Sequence, residues 1–196
     1  MASRYIYLIR HGQYNPDAKT NDPLESSLTP LGKQQAQKTA KALRHVPITA
    51  VHTSTLNRAV ETAEIITAVF PEIELQRTRR LWESIPMVSQ NLQTQFYHFP
   101  PDELQKQAAR SAKAFEHYFK PTRGTDKHEI LVTHGNLIRY FVCRALRVDP
   151  SAWLHMDCHN CGITRVRISE FGDTFLIGYN DIGHLPPRFR TDNFYK

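Results

Sequence analysis

Two short apolar runs in this chain each end at a polar group that contains a histidine and a glycine. The run Tyr5–Ile9 continues into Arg10–Gly12 (Arg-His-Gly), and the run Glu129–Thr133 continues into His134–Asn136 (His-Gly-Asn). Neither run alternates apolar with polar residues, so both predict strands that are buried on two faces, as in a parallel sheet. In such a sheet, ligands bind beyond the carboxyl ends of the strands, where both histidines would lie.

Capping residues predict where the first two helices begin. Pro30 suits the first position of a helix, and Thr29 can cap it. A second helix should follow a cap at Ser54 or Thr55 and run through Phe70.

Helices and strands should alternate along most of the chain. Apolar residues at helical spacing predict two further helices, over residues 101–119 and after residue 136. The runs at 50–53 and 163–179 predict further strands, the latter as a hairpin or as adjacent strands. The alternation indicates an α/β fold with a mostly parallel central sheet, in a single domain that spans residues 1–196.

The composition excludes several classes of protein. Hydrophobic residues make up 40% of the 196 residues, and no apolar run approaches the ~20 residues that a membrane span needs. The formal net charge is +6, but the basic residues are dispersed and no nucleic-acid-binding motif is present. We therefore expect no membrane segment in this chain and no nucleic-acid partner. Because no secretory signal is visible, we expect a cytoplasmic protein, with a mitochondrial location as the alternative if an anchor lies outside this sequence.

The cysteines do not predict a disulfide framework or a metal site. There are three, Cys143, Cys158 and Cys161, and an odd, small number argues against paired disulfides. The segment Cys158–Cys161 has the spacing of half a zinc site, and His155 and His159 are near it in sequence, but no second Cys-x-x-Cys pair exists. We therefore predict that the chain binds no metal.

The residues at the predicted sheet edge suit a phosphoryl group. Arg10 presents a planar fork of donors that matches phosphate oxygens, and Arg58, early in the second predicted helix, could reach the same edge. The helix after His134 would point free backbone N–H groups to the same place. A neutral imidazole at His11 is a competent nucleophile toward phosphorus, and neighbouring guanidinium charges would disfavour its protonation.

Attack on a phosphate ester also needs an acid that protonates the leaving oxygen. Glu83 lies in an irregular segment with apolar neighbours, where partial burial would raise its pKa enough to hold a proton. The spacing alone does not choose Glu83 over Glu61 or Glu64, so all three remain candidates on this argument.

The chain resembles a known family, the histidine phosphatase superfamily of phosphoglycerate mutase-like proteins. The motifs that carry the resemblance are, in order, Leu8–Gly12, Leu28–Gly32, Ser54 with Arg58–Ala63, Leu81 with Glu83, and Val132–Asn136. The resemblance implies a three-layer α/β/α fold and an enzyme, a phosphoric monoester hydrolase, that uses no metal or other cofactor.

The resemblance also assigns roles to five residues. It implies that His11 is the nucleophile that becomes phosphorylated, and that Arg10, Arg58 and His134 hold the phosphate. It further implies that Glu83 protonates the leaving group and then activates water, which makes the choice that spacing alone left open.

Within the superfamily, the chain is most similar to the branch of mitochondrial phosphoglycerate mutase-like Ser/Thr protein phosphatases. The segment from His134 to Leu146, Trp153 and the run Asp181–Pro187 carry this similarity, although Gly12 stands where that branch has serine. It implies phosphorylated proteins as partners, with phosphoserine and phosphothreonine as substrates, phosphohistidine as a further candidate, and a homodimer as a plausible assembly. The alternatives are a phosphatase for small sugar or nucleoside phosphate esters, a phosphoglycerate mutase-type phosphotransferase, and an inactive module that binds phosphorylated partners.

Overall fold

The computed structural model describes residues 2–15, 26–87 and 99–191. The sequence predicts a loop over residues 12–28 and a mostly irregular segment over 81–101, and parts of both lie outside the described residues. The strands of the described chain are β1 (Arg4–Arg10), β2 (Ala50–Ser54), β3 (Leu75–Thr78), β4 (Lys127–Thr133), β5 (Ile163–Ile168) and β6 (Thr174–Asp181). Its α-helices are α1 (Pro30–Leu43), α2 (Asn57–Thr67), α3 (Pro101–Tyr118) and α4 (Gly135–Ala145). Short 3-10 helices lie at Arg79–Leu81, Pro150–His155 and Pro187–Phe189.

The strands form one sheet whose order places the two histidine motifs side by side. Within the described residues the order is β3-β2-β4-β1-β5-β6, and β1, β2, β3 and β4 are mutually parallel. β5 and β6 complete the sheet as an antiparallel pair beside β1. Ile9 pairs with Val132 and Arg10 with Thr133, so His11 and His134 leave adjacent strands at the same edge.

Side chains on the central strands alternate between two hydrophobic cores. Ile6 and Leu8 of β1 face a core that includes residues of α3 and α4, whereas Tyr7 and Ile9 face a core that includes residues of α1 and α2. This alternation is the period of two expected for a strand that is covered on both faces. The result is three layers with a mostly parallel sheet in the middle, which confirms the predicted fold class.

The two predicted helix caps have different outcomes. The Thr29 hydroxyl accepts a hydrogen bond from Gly32 N at 3.0 Å and Pro30 begins α1, as predicted. The prediction for α2 was wrong: its N-cap is Leu56, without a side-chain cap, and the helix ends at Thr67. Ser54 does not cap because it ends β2, where its hydroxyl accepts from Leu56 N at 3.3 Å.

The first turn of α1 packs directly against the backbone that follows the nucleophile candidate. A Cβ atom at Gly12 would lie 2.6 Å from the carbonyl oxygen of Gly32, and a Cβ atom at Gly32 would lie 2.1 Å from that of Gln13. Glycine is therefore required at both positions, because the two backbones approach too closely for any side chain. The contact fixes α1 against the segment that carries His11.

Substitution of Gly32 by alanine tests this contact. Alanine raises helix propensity by about 1 kcal/mol over glycine, but overpacking against an immobile backbone costs roughly 1–3 kcal/mol or more. Gln13 cannot move away easily, because its N–H donates to Gln35 and its carbonyl accepts from Thr29 N. We expect Gly32→Ala to lower the free energy of unfolding by roughly 2 kcal/mol, measured by urea denaturation.

The matched control is Gln34→Ala, at an exposed position of the same helical turn. It should leave the stability nearly unchanged. A Gly32→Ala protein as stable as this control would mean that the close approach does not constrain the fold.

Candidate active site

His11 lies immediately after β1 with one ring nitrogen engaged by its own backbone. His11 is only 2% exposed, and its Nδ1 is 2.8 Å from the carbonyl oxygen of Gly12. Arg58 Nε lies 3.3 Å from Nε2 and donates to it. Since Nδ1 must donate to a carbonyl and Nε2 accepts from a guanidinium, we assign the proton to Nδ1 and the lone pair to Nε2.

The surroundings keep the His11 ring uncharged. Burial is the main cause that lowers its pKa well below the ordinary value, and the charges of Arg10 and Arg58 lower it further. The hydrogen bond to Gly12 opposes these effects only in part. At neutral pH the ring therefore presents a free electron pair, the form in which imidazole is nucleophilic.

Arg58 reaches the site because α2 begins where β2 ends. It is the second residue of α2 and is only 7% exposed, unlike most arginines on helices. Its guanidinium carbon lies 4.6 Å from the centre of the Tyr14 ring, which covers one face of the cation. The side chain is thus held in a defined position beside His11.

His134 is the second imidazole of the site. It is fully buried, and its ring centre lies 5.1 Å from that of His11. Nε2 is 2.9 Å from the Ser54 hydroxyl, while Nδ1 is buried with no hydrogen-bond partner within the described residues. Burial lowers its pKa well below the ordinary value, with further contributions from His11, Arg58 and Arg10. Like His11, this ring is neutral.

Arg10 ends β1 and directly precedes His11. Its Nη1 donates to the carbonyl oxygen of Cys158, and its Nε is buried without a hydrogen-bond partner in the described part of the chain. The side chain lines a cavity of about 520 Å³ together with Glu83. The remaining lining residues are Gly135, Asn136, Arg139, Leu154, His155, Met156, Asp157 and Cys158.

Glu83 borders the same cavity in an environment that favours its protonated form. Burial raises the pKa of the carboxyl group above its ordinary value. The Ser84 N–H, which donates to Glu83 Oε1 at 3.1 Å, and the charges of Arg10 and Arg58 oppose this effect in part. Arg110 donates to the Glu83 carbonyl oxygen at 2.8 Å and so fixes the backbone of this residue.

The two other candidate acids are engaged elsewhere. Glu61 accepts hydrogen bonds from Leu28 N at 3.2 Å and from Asn57 Nδ2 at 3.1 Å. Glu64 forms an exposed ion pair with Arg77 at 2.6 Å. The structure therefore brings Glu83, and neither alternative, to the cavity that Arg10 lines.

Three polar residues near the nucleophile were not predicted as functional. Besides Ser54, the Thr62 hydroxyl accepts from Gly12 N at 3.0 Å, and Asn160 Nδ2 donates to the carbonyl oxygen of His11 at 2.9 Å. Ser54 and Thr62 lie within the family motifs, but the motifs assigned them no role. Asn160 has no such signal, since it stands within Cys158–Cys161, the segment with the spacing of half a zinc site.

These cysteines are buried thiols. Burial raises the pKa of Cys158 to about 11 and that of Cys161 to about 12. In the residues that the structure describes, no group of three or more His, Cys, Asp or Glu side chains is placed to hold a metal ion.

Relatives and a solved structure show what this chain is similar to. It is 38% identical over 192 residues to the mitochondrial serine/threonine-protein phosphatase PGAM5 of Xenopus tropicalis, which covers 95% of this chain and 67% of the relative. It is also 38% identical over 200 residues to the corresponding protein of Caenorhabditis elegans, with 95% and 66% covered. The chain thus spans about two thirds of the length of these relatives.

The fold matches a solved structure over the whole chain. Phosphoglycerate mutase from Plasmodium falciparum superposes with a TM-score of 0.66 and 28% sequence identity, and the match covers 100% of both chains. The predicted phosphoglycerate mutase-like architecture is therefore confirmed.

The expectation of a cytoplasmic location was wrong. The relatives at this level of identity are named as mitochondrial proteins, which contradicts it. The expectation came from the absence of a visible signal near residue 1, and this is weak information about location. Across the described ranges, no helix combines the length and the apolar character needed to cross a bilayer.

A family model also matches most of the chain. The model of the histidine phosphatase superfamily (branch 1) matches residues 6–181, which include both histidine motifs, Arg58 and Glu83. The chain therefore belongs to the histidine phosphatase superfamily, the family that its motifs predicted.

Proposed function

We propose that this chain removes phosphate from phosphoserine and phosphothreonine side chains of proteins, through a covalent phosphohistidine on His11. The observation that carries the proposal is an uncharged ring nitrogen, His11 Nε2, that lies 3.3 Å from a buried guanidinium nitrogen of Arg58. A nucleophile and a phosphate-binding cation are thus in contact inside the protein.

The family and the relatives both support the reaction class. The chain belongs to a superfamily of histidine phosphatases, and its relatives are named phosphatases, so the predicted phosphoric monoester hydrolase is confirmed. Phosphorylated molecules are accordingly its substrates.

In the first step, His11 Nε2 attacks phosphorus and the bond from phosphorus to the ester oxygen breaks. Glu83 gives its proton to the departing oxygen, and burial raises its pKa so that it holds this proton before the step. The neutral ring forms the new N–P bond without first losing a proton from Nε2. The products of this step are the free hydroxyl compound and a phosphohistidine.

In the second step, water attacks the phosphorus of phosphohistidine 11. Glu83, now a carboxylate, takes a proton from this water, the N–P bond breaks, and Nε2 recovers its electron pair. Inorganic phosphate leaves, and both His11 and Glu83 return to their starting forms. Glu83 serves as acid in the first step and as base in the second, so the two steps together require no cofactor.

Four groups are available to hold the phosphoryl oxygens. Arg58 and Arg10 supply positive charge, and Arg10 Nε is a buried donor without a partner in the described residues. The Ser54 hydroxyl accepts from Leu56 N and can donate to His134 Nε2, which leaves the proton of this ring on the unpartnered Nδ1. α4 begins at Gly135, and its first backbone N–H groups add a fourth set of donors at the same edge.

Protein substrates are favoured by the relatives and not by the pocket alone. The relatives at 38% identity are named serine/threonine-protein phosphatases. Small phosphate esters are the second candidate, because a cavity of about 520 Å³ beside Glu83 falls within the size range of small-molecule sites. Absence of nucleic-acid binding and formation of a homodimer remain predictions.

Arg58→Ala tests the phosphate-binding role. Loss of a charge-assisted pair of hydrogen bonds should weaken the binding of inorganic phosphate or vanadate by about tenfold to a hundredfold, measured by competitive inhibition. The His11 pKa should rise at the same time, since one of the cations that lowers it is removed. Arg77→Ala is the control, because Arg77 forms an exposed ion pair on β3. Unchanged phosphate affinity in Arg58→Ala would place this residue outside the binding site.

His11→Ala tests the nucleophile. Hydrolysis of p-nitrophenyl phosphate should fall by roughly a thousandfold or more, and acid-labile phosphate should no longer appear on the protein. His45→Ala, at an exposed histidine hydrogen-bonded to Arg44, should keep the parent rate. Parent-level hydrolysis by His11→Ala would exclude a phosphohistidine at this position.

A substrate panel with the unaltered protein separates the candidate functions. It pairs phosphoserine and phosphothreonine peptides with sugar phosphates, nucleoside monophosphates and 3-phosphoglycerate, without added metal. A higher kcat/KM for the peptides supports the proposal. A higher kcat/KM for a small ester contradicts it, as does isomerisation of phosphoglycerate without release of phosphate.

Glu83→Gln tests the acid. The value of kcat/KM for phenyl phosphate, a poor leaving group, should fall far more than that for p-nitrophenyl phosphate. In the parent, kcat/KM should rise with pH as His11 loses its proton at a lowered pKa, and fall as Glu83 loses its proton at a raised pKa. The falling limb should disappear in Glu83→Gln. Glu64→Gln is the matched control, and equal slowing of both esters by Glu83→Gln would contradict the acid role.

A further inference from the structure

The segment from Leu185 to Thr191 packs against residues that hold the backbone around His11. Phe189 belongs to a small core with Ala36 of α1, Cys161 and Leu185. Two buried amide side chains, Gln35 and Asn160, lie between this segment and the residues around His11. The mechanism above uses neither amide.

Gln35 uses both ends of its amide. It is fully buried, its Oε1 accepts from Gln13 N at 2.8 Å, and its Nε2 donates to the carbonyl oxygen of Phe189 at 2.8 Å. The same Nε2 lies 3.5 Å from the Thr191 hydroxyl. One side chain therefore joins the backbone two residues after the nucleophile to the end of the described chain.

Asn160 also joins the backbone around His11 to Thr191. It is 5% exposed, its Nδ2 donates to the carbonyl oxygen of His11 at 2.9 Å, and its Oδ1 accepts from the Thr191 hydroxyl at 2.8 Å. The backbone N–H and carbonyl groups that flank Gly12 are thus held by two different side chains that meet at one hydroxyl.

The donors and acceptors of this chain of hydrogen bonds run in one direction. Gln13 N–H donates to Gln35, Gln35 donates to Thr191, Thr191 donates to Asn160, and Asn160 donates to His11. A threonine hydroxyl can accept one bond while it donates another, which a methyl group cannot do. The Gln35 amide is also held by Gln13 N and by the Phe189 carbonyl oxygen at 2.8 Å each, whereas Asn160 Oδ1 accepts from the Thr191 hydroxyl at 2.8 Å, so loss of the hydroxyl acts chiefly on Asn160.

We propose that Gln35 and Asn160 are positioning residues for His11, and that the Thr191 hydroxyl locks the Asn160 amide in place. The inference rests on the proposed function, because it assigns the lock to the nucleophile of that reaction. Its effect is geometric: the loop from His11 to Gln13 is held at both ends, so that Nε2 keeps its direction toward phosphorus. A nucleophile displaced by about 1 Å can lose roughly a hundredfold in rate, so partial release of this loop should be measurable.

The pair Thr191→Val and Thr191→Ser tests the lock. Valine keeps the shape of threonine but removes the hydroxyl, whereas serine keeps the hydroxyl. With p-nitrophenyl phosphate we expect Thr191→Val to lower kcat by about tenfold with little change in KM, because loop position affects attack more than phosphate binding. Thr191→Ser should stay within about twofold of the parent. Melting temperatures of all three proteins show whether each remains folded at the assay temperature.

A second measurement does not depend on turnover. The ring nitrogens of His11 give ¹⁵N NMR signals that report its hydrogen bonds, and we expect these signals to shift or broaden in Thr191→Val and to return in Thr191→Ser. Unchanged His11 signals together with a parent-level kcat in Thr191→Val would overturn the proposal. A loss of kcat that only follows the unfolded fraction would overturn it as well, since it would show a purely structural role.

The same experiment separates failure of this inference from failure of the proposed function. If His11→Ala is inactive and Thr191→Val is not impaired, His11 is the nucleophile but the lock is wrong. If His11→Ala keeps the parent rate, the proposed function is wrong, and the NMR signals alone then decide whether Thr191 positions the ring.

Discussion

The contact between the Arg58 guanidinium and Nε2 of His11 is the interaction on which the rest of the site depends. The guanidinium can donate to that nitrogen only while the ring is uncharged, and burial together with nearby cations keeps it so. An exposed imidazole would be partly protonated near neutral pH and would repel the arginine. The pair must therefore be buried if the ring is to stay uncharged, and the surrounding strands and helices bury it.

The strand order of the sheet and the helices that follow its strands provide that burial. Parallel pairing of β1 with β4 places the two histidine motifs at the ends of neighbouring strands. The helices that follow β2 and β4 bring Arg58 and a set of backbone N–H groups to the same edge. The mutual approach of Gly12 and Gly32 then holds α1 against the nucleophile. The groups come from the ends of several elements, so the site is assembled by the topology as a whole.

The sequence predicted the parts of this arrangement that depend on local pattern. Two apolar runs, the motifs after them and the alternation of helices with strands were sufficient for the fold class and for bringing His11 and His134 together. Long-range contacts were not predictable. Without the family resemblance, the choice of Glu83 would have required the positions of Glu61 and Glu64 in space, and Asn160 has no local signal because its partner lies 149 residues away. The buried residues of α3, Ser111, Ala114 and Tyr118, do not follow from apolar spacing alone, because Ser111 is polar and pairs with Ser84.

The burial of two cysteines has a consequence for the conditions in which the enzyme can work. The backbones of Cys158 and Cys161 form hydrogen bonds with Arg10, and burial holds both thiols in the protonated form. Peroxide oxidises thiolates and reacts slowly with buried thiols. Because the proposed reacting atom is a nitrogen of His11 and both of these thiols are buried, the enzyme should retain its activity under oxidative stress that inactivates phosphatases with a catalytic cysteine.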